Sequence, residues 1–262
     1  VESIVDDAAT VTSIIDSSAQ DPHSYELTAR DRLRLESADL VIANGGGYDG
    51  FVDAVVDGMD AAPPFLVAVG VLAAAGADDA GHDSAGDRDE HLWYDLDAMA
   101  EVAAQVAAEL AELDPANAAE YAANASALEN DLDALRDRTA AIAQAAPAST
   151  AVVTEPVPLA LLAAAGVADV TPAGFSAAIE EGTDVSPALL NTVTSALAAG
   201  GVSLLVLNTQ TGGAETEVVQ RAAEAAEVPV VDVTETLPDG EGYVEWMSAN
   251  LDAVAAALGV DA

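Results

Sequence analysis

The chain has no cysteine and no lysine, and its 262 residues include only three histidines, two tryptophans, three phenylalanines and five tyrosines. Without cysteine, a disulfide framework, a zinc–thiolate site and a cysteine nucleophile are all excluded. Basic residues are scarce: seven arginines stand against 46 acidic residues, for a net charge of −39. Nucleic acid is therefore a poor partner, because phosphate binding needs basic side chains. An anionic bilayer would also repel this surface unless a lipid anchor held it there. The acidity has two compatible meanings, a solvated surface adapted to high salt and a field that draws in cations. No apolar run reaches the ~20 residues a membrane-spanning helix needs. The opening residues Val1-Glu2-Ser3-Ile4-Val5 carry no signal-peptide pattern, so any export signal is expected outside this sequence. There is no G-x-S-x-G nucleophile elbow.

What is present is alanine-rich and 52% hydrophobic. The longest pattern runs from Asp114 to Ala145. Asp114-Pro115 reads as a cap and a first-turn proline. Tyr121, Leu128, Leu132, Leu135 and Ile142 then keep one helical face apolar, and Pro147 stops the helix. On either side the chain alternates strands and helices. Before the helix, Val11–Ile15 reads as a strand, Thr28–Ser37 as a helix capped by Thr28, Ala38–Asn44 as a strand, Gly50–Asp57 as a helix and Pro64–Val69 as a strand. Gly76–Glu90 reads as an acidic surface loop and Asp95–Leu113 as a helix. After it, Thr150–Glu155, Val202–Asn208 and Val228–Val233 read as strands. Val157–Ala165, Ser186–Ala199, Gly213–Glu227 and Tyr243–Leu258 read as helices. This rhythm predicts an α/β protein of two lobes, each a parallel sheet flanked by helices, joined by one spine helix. The expected division is 1–113, 114–146 and 147–262.

In such sheets ligands bind beyond the carboxyl ends of the strands. By that rule His23, in the loop after the first strand, and His91, where the acidic loop enters a helix, are candidates. So are Glu155, at the end of the strand after the spine, and Asp232, at the end of the last strand. Two imidazoles and two carboxylates form a plausible ligand set for a divalent cation where no thiolate is available. His82 lies in the acidic loop, either as an ordinary solvated residue or as a transient metal-capturing one. Gly45-Gly46-Gly47 is expected to be a tight strand-to-helix turn rather than a phosphate cradle, since no lysine follows. A carboxylate pair, Glu155 with Asp232, suits general acid–base work, and an open metal site would activate water. Nothing marks a substrate pocket, however, and the protein is not expected to be an enzyme.

From Asp21-Pro22-His23-Ser24-Tyr25-Glu26 onward the sequence resembles the zinc- and manganese-binding solute-binding proteins of ABC importers. The resemblance continues through Ala38-Asp39-Leu40-Val41, Asn44-Gly45 and Glu90-His91-Leu92-Trp93. It then takes in Leu113-Asp114-Pro115, Asn117 and Tyr121, and closes with Val231-Asp232 and Gly242 to Leu251. It implies that His23, His91, Glu155 and Asp232 bind the metal, with Tyr25, Glu26, His82, Trp93 and Glu235 as accessory residues. It implies one Mn2+ or Zn2+ ion as transported ligand, a permease and its ATPase as partners, and a monomer. It also implies a periplasmic or lipid-anchored location outside the cytoplasmic membrane. Glutamate rather than histidine at 155 suits manganese, a harder ion. Family members normally have a strand and most of a helix before the segment that begins here, so a truncated or divergent N-terminal lobe is expected. A receptor for a siderophore or corrinoid and a metal-containing surface adhesin are the alternatives.

Overall fold

A computed structural model describes residues 1–15, 17, 20, 25–75 and 90–261. The chain divides into two compact units, Val1–Leu132 and Asp133–Ala262. The boundary falls inside one long helix.

In the first unit, strands β1 (Val41–Ala43) and β2 (Phe65–Val67) pair in parallel, Val41 opposite Phe65 and Ala43 opposite Val67. Side chains alternate across a strand, so a short sheet can feed two cores. Val41 and Ala43 pack with Leu35 of helix α2 (Ala29–Glu36) and with Val52 and Val56 of α3 (Gly50–Val56). Leu66 turns the other way. It joins Ile4 and Val5 of α1 (Glu2–Val5), Val106 of α5 (Leu96–Leu113) and Tyr121 of α6 (Ala118–Ala145). Helix α4 (Ala68–Ala75) follows β2 directly. It was not foreseen, because its run of Ala, Val and Leu around Gly70 has no cap and no polar face.

The strand expected at Val11–Ile15 is absent. Val11 packs against the Ile4 cluster and Ile14 against the Val41 cluster. Burial therefore accounts for the β-branched pattern, while a ladder would also need a partner strand in register. Helix α2 begins as expected. Thr28 Oγ1 accepts from the Asp31 amide at 3.2 Å, and the Asp31 carboxylate accepts from the Thr28 amide at 3.0 Å, a reciprocal capping box.

Helix α6 is 28 residues long, about 42 Å at the usual rise. Its expected stripe is buried at Tyr121, Leu132, Leu135 and Ile142. It starts later than the sequence suggested. Asp114 and Pro115 form a turn instead, in which Asp114 accepts from Asn117 Nδ2 at 2.6 Å and from the Tyr121 hydroxyl at 3.1 Å. Those bonds hold the Asp114 carboxyl below the ordinary aspartate range, Asn117 contributing most.

The second unit is a four-stranded parallel sheet in the order β4-β3-β5-β6. The strands are β3 (Thr150–Val153), β4 (Ala168–Asp169), β5 (Leu204–Asn208) and β6 (Val230–Val233). Every residue of β5 is buried, as befits a central strand covered on both faces. Val152, Leu205 and Leu207 pack against helices α8 (Phe175–Glu180), α9 (Pro187–Ala199) and α10 (Ala214–Ala225). By alternation, Val153, Val206 and Val233 face the opposite side, where α11 (Tyr243–Leu258) packs against β6. Helix α7 (Leu159–Ala164) follows β3. Strand β4 and helix α8 lay outside the sequence reading, being too short to carry a period.

Candidate metal site

The second unit gathers its chemistry where strands β3, β5 and β6 end side by side. Thr154 and Glu155 follow β3, Asn208 is the last residue of β5, and Glu235 lies just beyond β6. All four side chains are buried. Parallel strands end together on one edge of a sheet, so residues far apart in sequence meet there.

Asn208 is the hub. Its Nδ2 donates to Glu155 Oε2, and also lies 3.3 Å from Glu235 Oε2. Its Oδ1 accepts from the Gln210 amide at 3.1 Å, which fixes the direction in which the side-chain amide points. Its own backbone amide donates to Thr154 Oγ1 at 3.1 Å. The Thr211 hydroxyl donates to the second oxygen of Glu155. Gln210 Oε1 accepts from the amides of Glu235 at 2.6 Å and Thr236 at 2.9 Å, while its Nε2 donates to Thr236 Oγ1 at 2.7 Å. The loop after β5 thus holds both acidic segments. Carboxylates steered by neutral N–H and O–H donors are oriented oxygen ligands for a cation.

Asp232 sits differently. It is an interior residue of the edge strand β6, paired with Leu207, and it is exposed while Val231 and Val233 on either side are buried. Strand alternation turns it away from the face that buries those valines. The structure brings Glu155 together with Glu235, which the sequence ranked only as accessory, and does not bring Asp232 to them. Asn208, Gln210 and Thr211 were missed altogether. The available signal was a polar residue closing the buried strand Val202–Asn208, followed at once by Thr209-Gln210-Thr211.

In the first unit His91 is buried, 2% exposed, in an aromatic setting. Its ring centroid lies 5.3 Å from that of Trp93 and 6.3 Å from that of Tyr48, both edge-on, and Tyr48 and Trp93 are 4.8 Å apart. The approach to His91 is anchored from the end of β1, where Asn44 Nδ2 donates to the carbonyl of Glu90 at 2.7 Å. The glycine turn beside it contains its own anion. Asp49 accepts from the amides of Asn44 at 2.6 Å and Gly45 at 2.7 Å, so the carboxylate occupies the donors a phosphate would need. Gly45 itself is obligatory. Its φ is +80°, and a Cβ there would lie 2.5 Å from Val67 Cγ1.

His23 and His82 lie outside the described residues. Two residues after the first, Tyr25 meets Phe51 at a tilt of 53° with centroids 5.5 Å apart and donates to Asp31 Oδ2 at 2.9 Å. The Asp31 carboxyl is held below the ordinary aspartate range, chiefly by the Thr28 hydroxyl, then by the Thr28 amide, Tyr25 and Arg34, against the opposing effect of burial. Glu26 is exposed and Trp93 half-buried. Among the described residues, no helix is long and apolar enough to cross a membrane.

Acidic residues gathered beyond the ends of parallel strands lie at the edge where α/β sheets bind their ligands. The chain belongs to the family described as zinc-uptake complex component A, periplasmic, whose model matches residues 1–257. This is a family of metal-binding solute-binding proteins. Among solved structures, the SBP FpvC of Pseudomonas aeruginosa in complex with Mn2+ is 26% identical, with a TM-score of 0.77 over 98% of this chain and 93% of that one. The same protein with Ni2+ gives 26% identity and a TM-score of 0.76, over 98% and 92%. The periplasmic zinc-binding protein TroA of Treponema pallidum shares the fold, at 20% identity and a TM-score of 0.81 over 98% and 94%.

Proposed function

We propose that this protein is the metal receptor of an ABC importer. It takes up one Mn2+ or Zn2+ ion as cargo and hands it to a membrane permease powered by its ATPase. It works as a monomer outside the cytoplasmic membrane, in the periplasm or on a lipid anchor. His23 and His91 supply nitrogen. Glu155 and Glu235 supply oxygen, Glu235 taking the role the sequence gave to Asp232. The observation that carries this reading is the meeting of two buried carboxylates beyond the ends of β3 and β6, on either side of β5, with their oxygens already steered by side-chain donors. The Mn2+ and Ni2+ complexes of FpvC support a divalent ion. All three histidines precede the second unit in sequence and the chain has no cysteine, so among imidazole, thiolate and carboxylate ligands that unit can supply only carboxylate. Such a donor set favours Mn2+ more than an all-imidazole one does.

The test is competitive titration of apo protein with Mn2+ and Zn2+ against a chromophoric chelator, followed by elemental analysis. One ion per chain, lost on Glu155→Gln, is the expected result. An intact protein that binds neither ion stoichiometrically overturns the reading.

A further inference from the structure

Two glutamates on separate loops define a usable half-site only if their separation is set by something else, because each has three rotatable bonds and both are acidic. The geometry points to Asn208 as that positioning residue: one side-chain amide spaces the Glu155 and Glu235 carboxylates and thereby sets the preference between Mn2+ and Zn2+. This inference rests on the metal-receptor reading above. Asn208 is 5% exposed, its Nδ2 serves both carboxylates, and its Oδ1 is held by the Gln210 amide, so the group has one orientation. Thr211 holds the remaining oxygen of Glu155, and Gln210 fixes the backbone at Glu235.

Mn2+ has little affinity advantage anywhere and depends on several well-placed oxygens, whereas Zn2+ is satisfied by four ligands including imidazoles. Loosening the carboxylates should therefore cost Mn2+ more than Zn2+. The experiment compares wild type, Asn208→Ala and Thr211→Val by competitive titration with Mn2+ and with Zn2+, together with the electron paramagnetic resonance spectrum of bound Mn2+ and the melting temperature of each metal-free protein. The expected result is a drop in Mn2+ affinity of about 10–100-fold, the usual range for partners of metal ligands. The drop for Zn2+ is smaller, the Mn2+ spectrum is broadened, and Thr211→Val shows the same direction in milder form. Equal losses for both ions, or none, overturn the inference while leaving the receptor intact. If Asn208→Ala does not fold, Thr211→Val decides alone. Failure of wild type to bind either ion overturns the receptor reading instead.

Discussion

Glu155 and Glu235 follow strands that are not neighbours, β3 and β6, yet their carboxylates accept from the same Nδ2 of Asn208 on the strand between them. Glu235→Gln should therefore weaken Mn2+ binding by about 100-fold or more, since even outer partners of metal ligands are worth 10–100-fold. Asp232→Asn should change it by less than about twofold, as expected for a surface position outside the ligand set. Chelator competition on the two variants measures both. The opposite ranking would return the ligand role to Asp232.

The local parts of this architecture were legible because their causes are local. Thr28 and Asp31 stand three residues apart, and a capping box needs no more than that. The stripe of Tyr121, Leu132, Leu135 and Ile142 announced its helix by spacing alone. The choice between Asp232 and Glu235 depended instead on which acid reaches a neighbouring strand end. That is set by sheet order, and no period in the sequence records it. Alternation gave a partial warning, since Asp232 lies between two valines that had to share the buried face. Helix α4 was invisible for the converse reason, its composition being apolar on every side.

Thr28→Ala removes the hydroxyl that caps α2 and that also donates to Asp31 at 2.6 Å. The expected loss of stability is about 1 kcal/mol, the usual cost of a removed cap. Chemical denaturation with an unchanged slope measures it. Thr28→Ser should retain most of the stability, because the hydroxyl is kept.

Asp114→Asn should destabilise the protein at neutral pH, with a distinctive pH dependence. The folded-state pKa of Asp114 is lowered, so its contribution is fully present above the ordinary aspartate range and is lost as pH falls through the lowered value. The stability difference between wild type and variant should hold from neutral pH down to the ordinary aspartate range and close only below it. Denaturation of both proteins across that interval tests this. A difference that vanishes nearer neutrality would exclude the Asn117 and Tyr121 bonds as its source.

Gly45→Ala should cost about 1–3 kcal/mol, the range for a residue forced into a sparsely populated backbone region. The added methyl also meets Val67. Trimming that neighbour with Val67→Ala should recover only the steric share of the loss, and a double-mutant cycle separates the two parts. Additive losses would mean the methyl and Val67 do not meet.

At a net charge of −39 the folded chain repels itself, and salt screens that repulsion over a length of about 3 Å at 1 M against about 10 Å at 0.1 M. The melting temperature should rise steadily between those concentrations. A flat or falling trend in potassium chloride would show that surface repulsion does not limit stability.

The loop from Asn208 to Thr211 has a consequence for the same conditions. The donors described around Glu155 and Glu235 are amides and hydroxyls, dipoles without net charge. Concentrated electrolyte loosens a scaffold of ion pairs by offering each member a substitute counterion, but a neutral dipole attracts no such substitute. The bonds from Asn208, Thr211 and Gln210 are of this neutral kind, so their hold on the two acidic segments should be the same in brine and in dilute buffer.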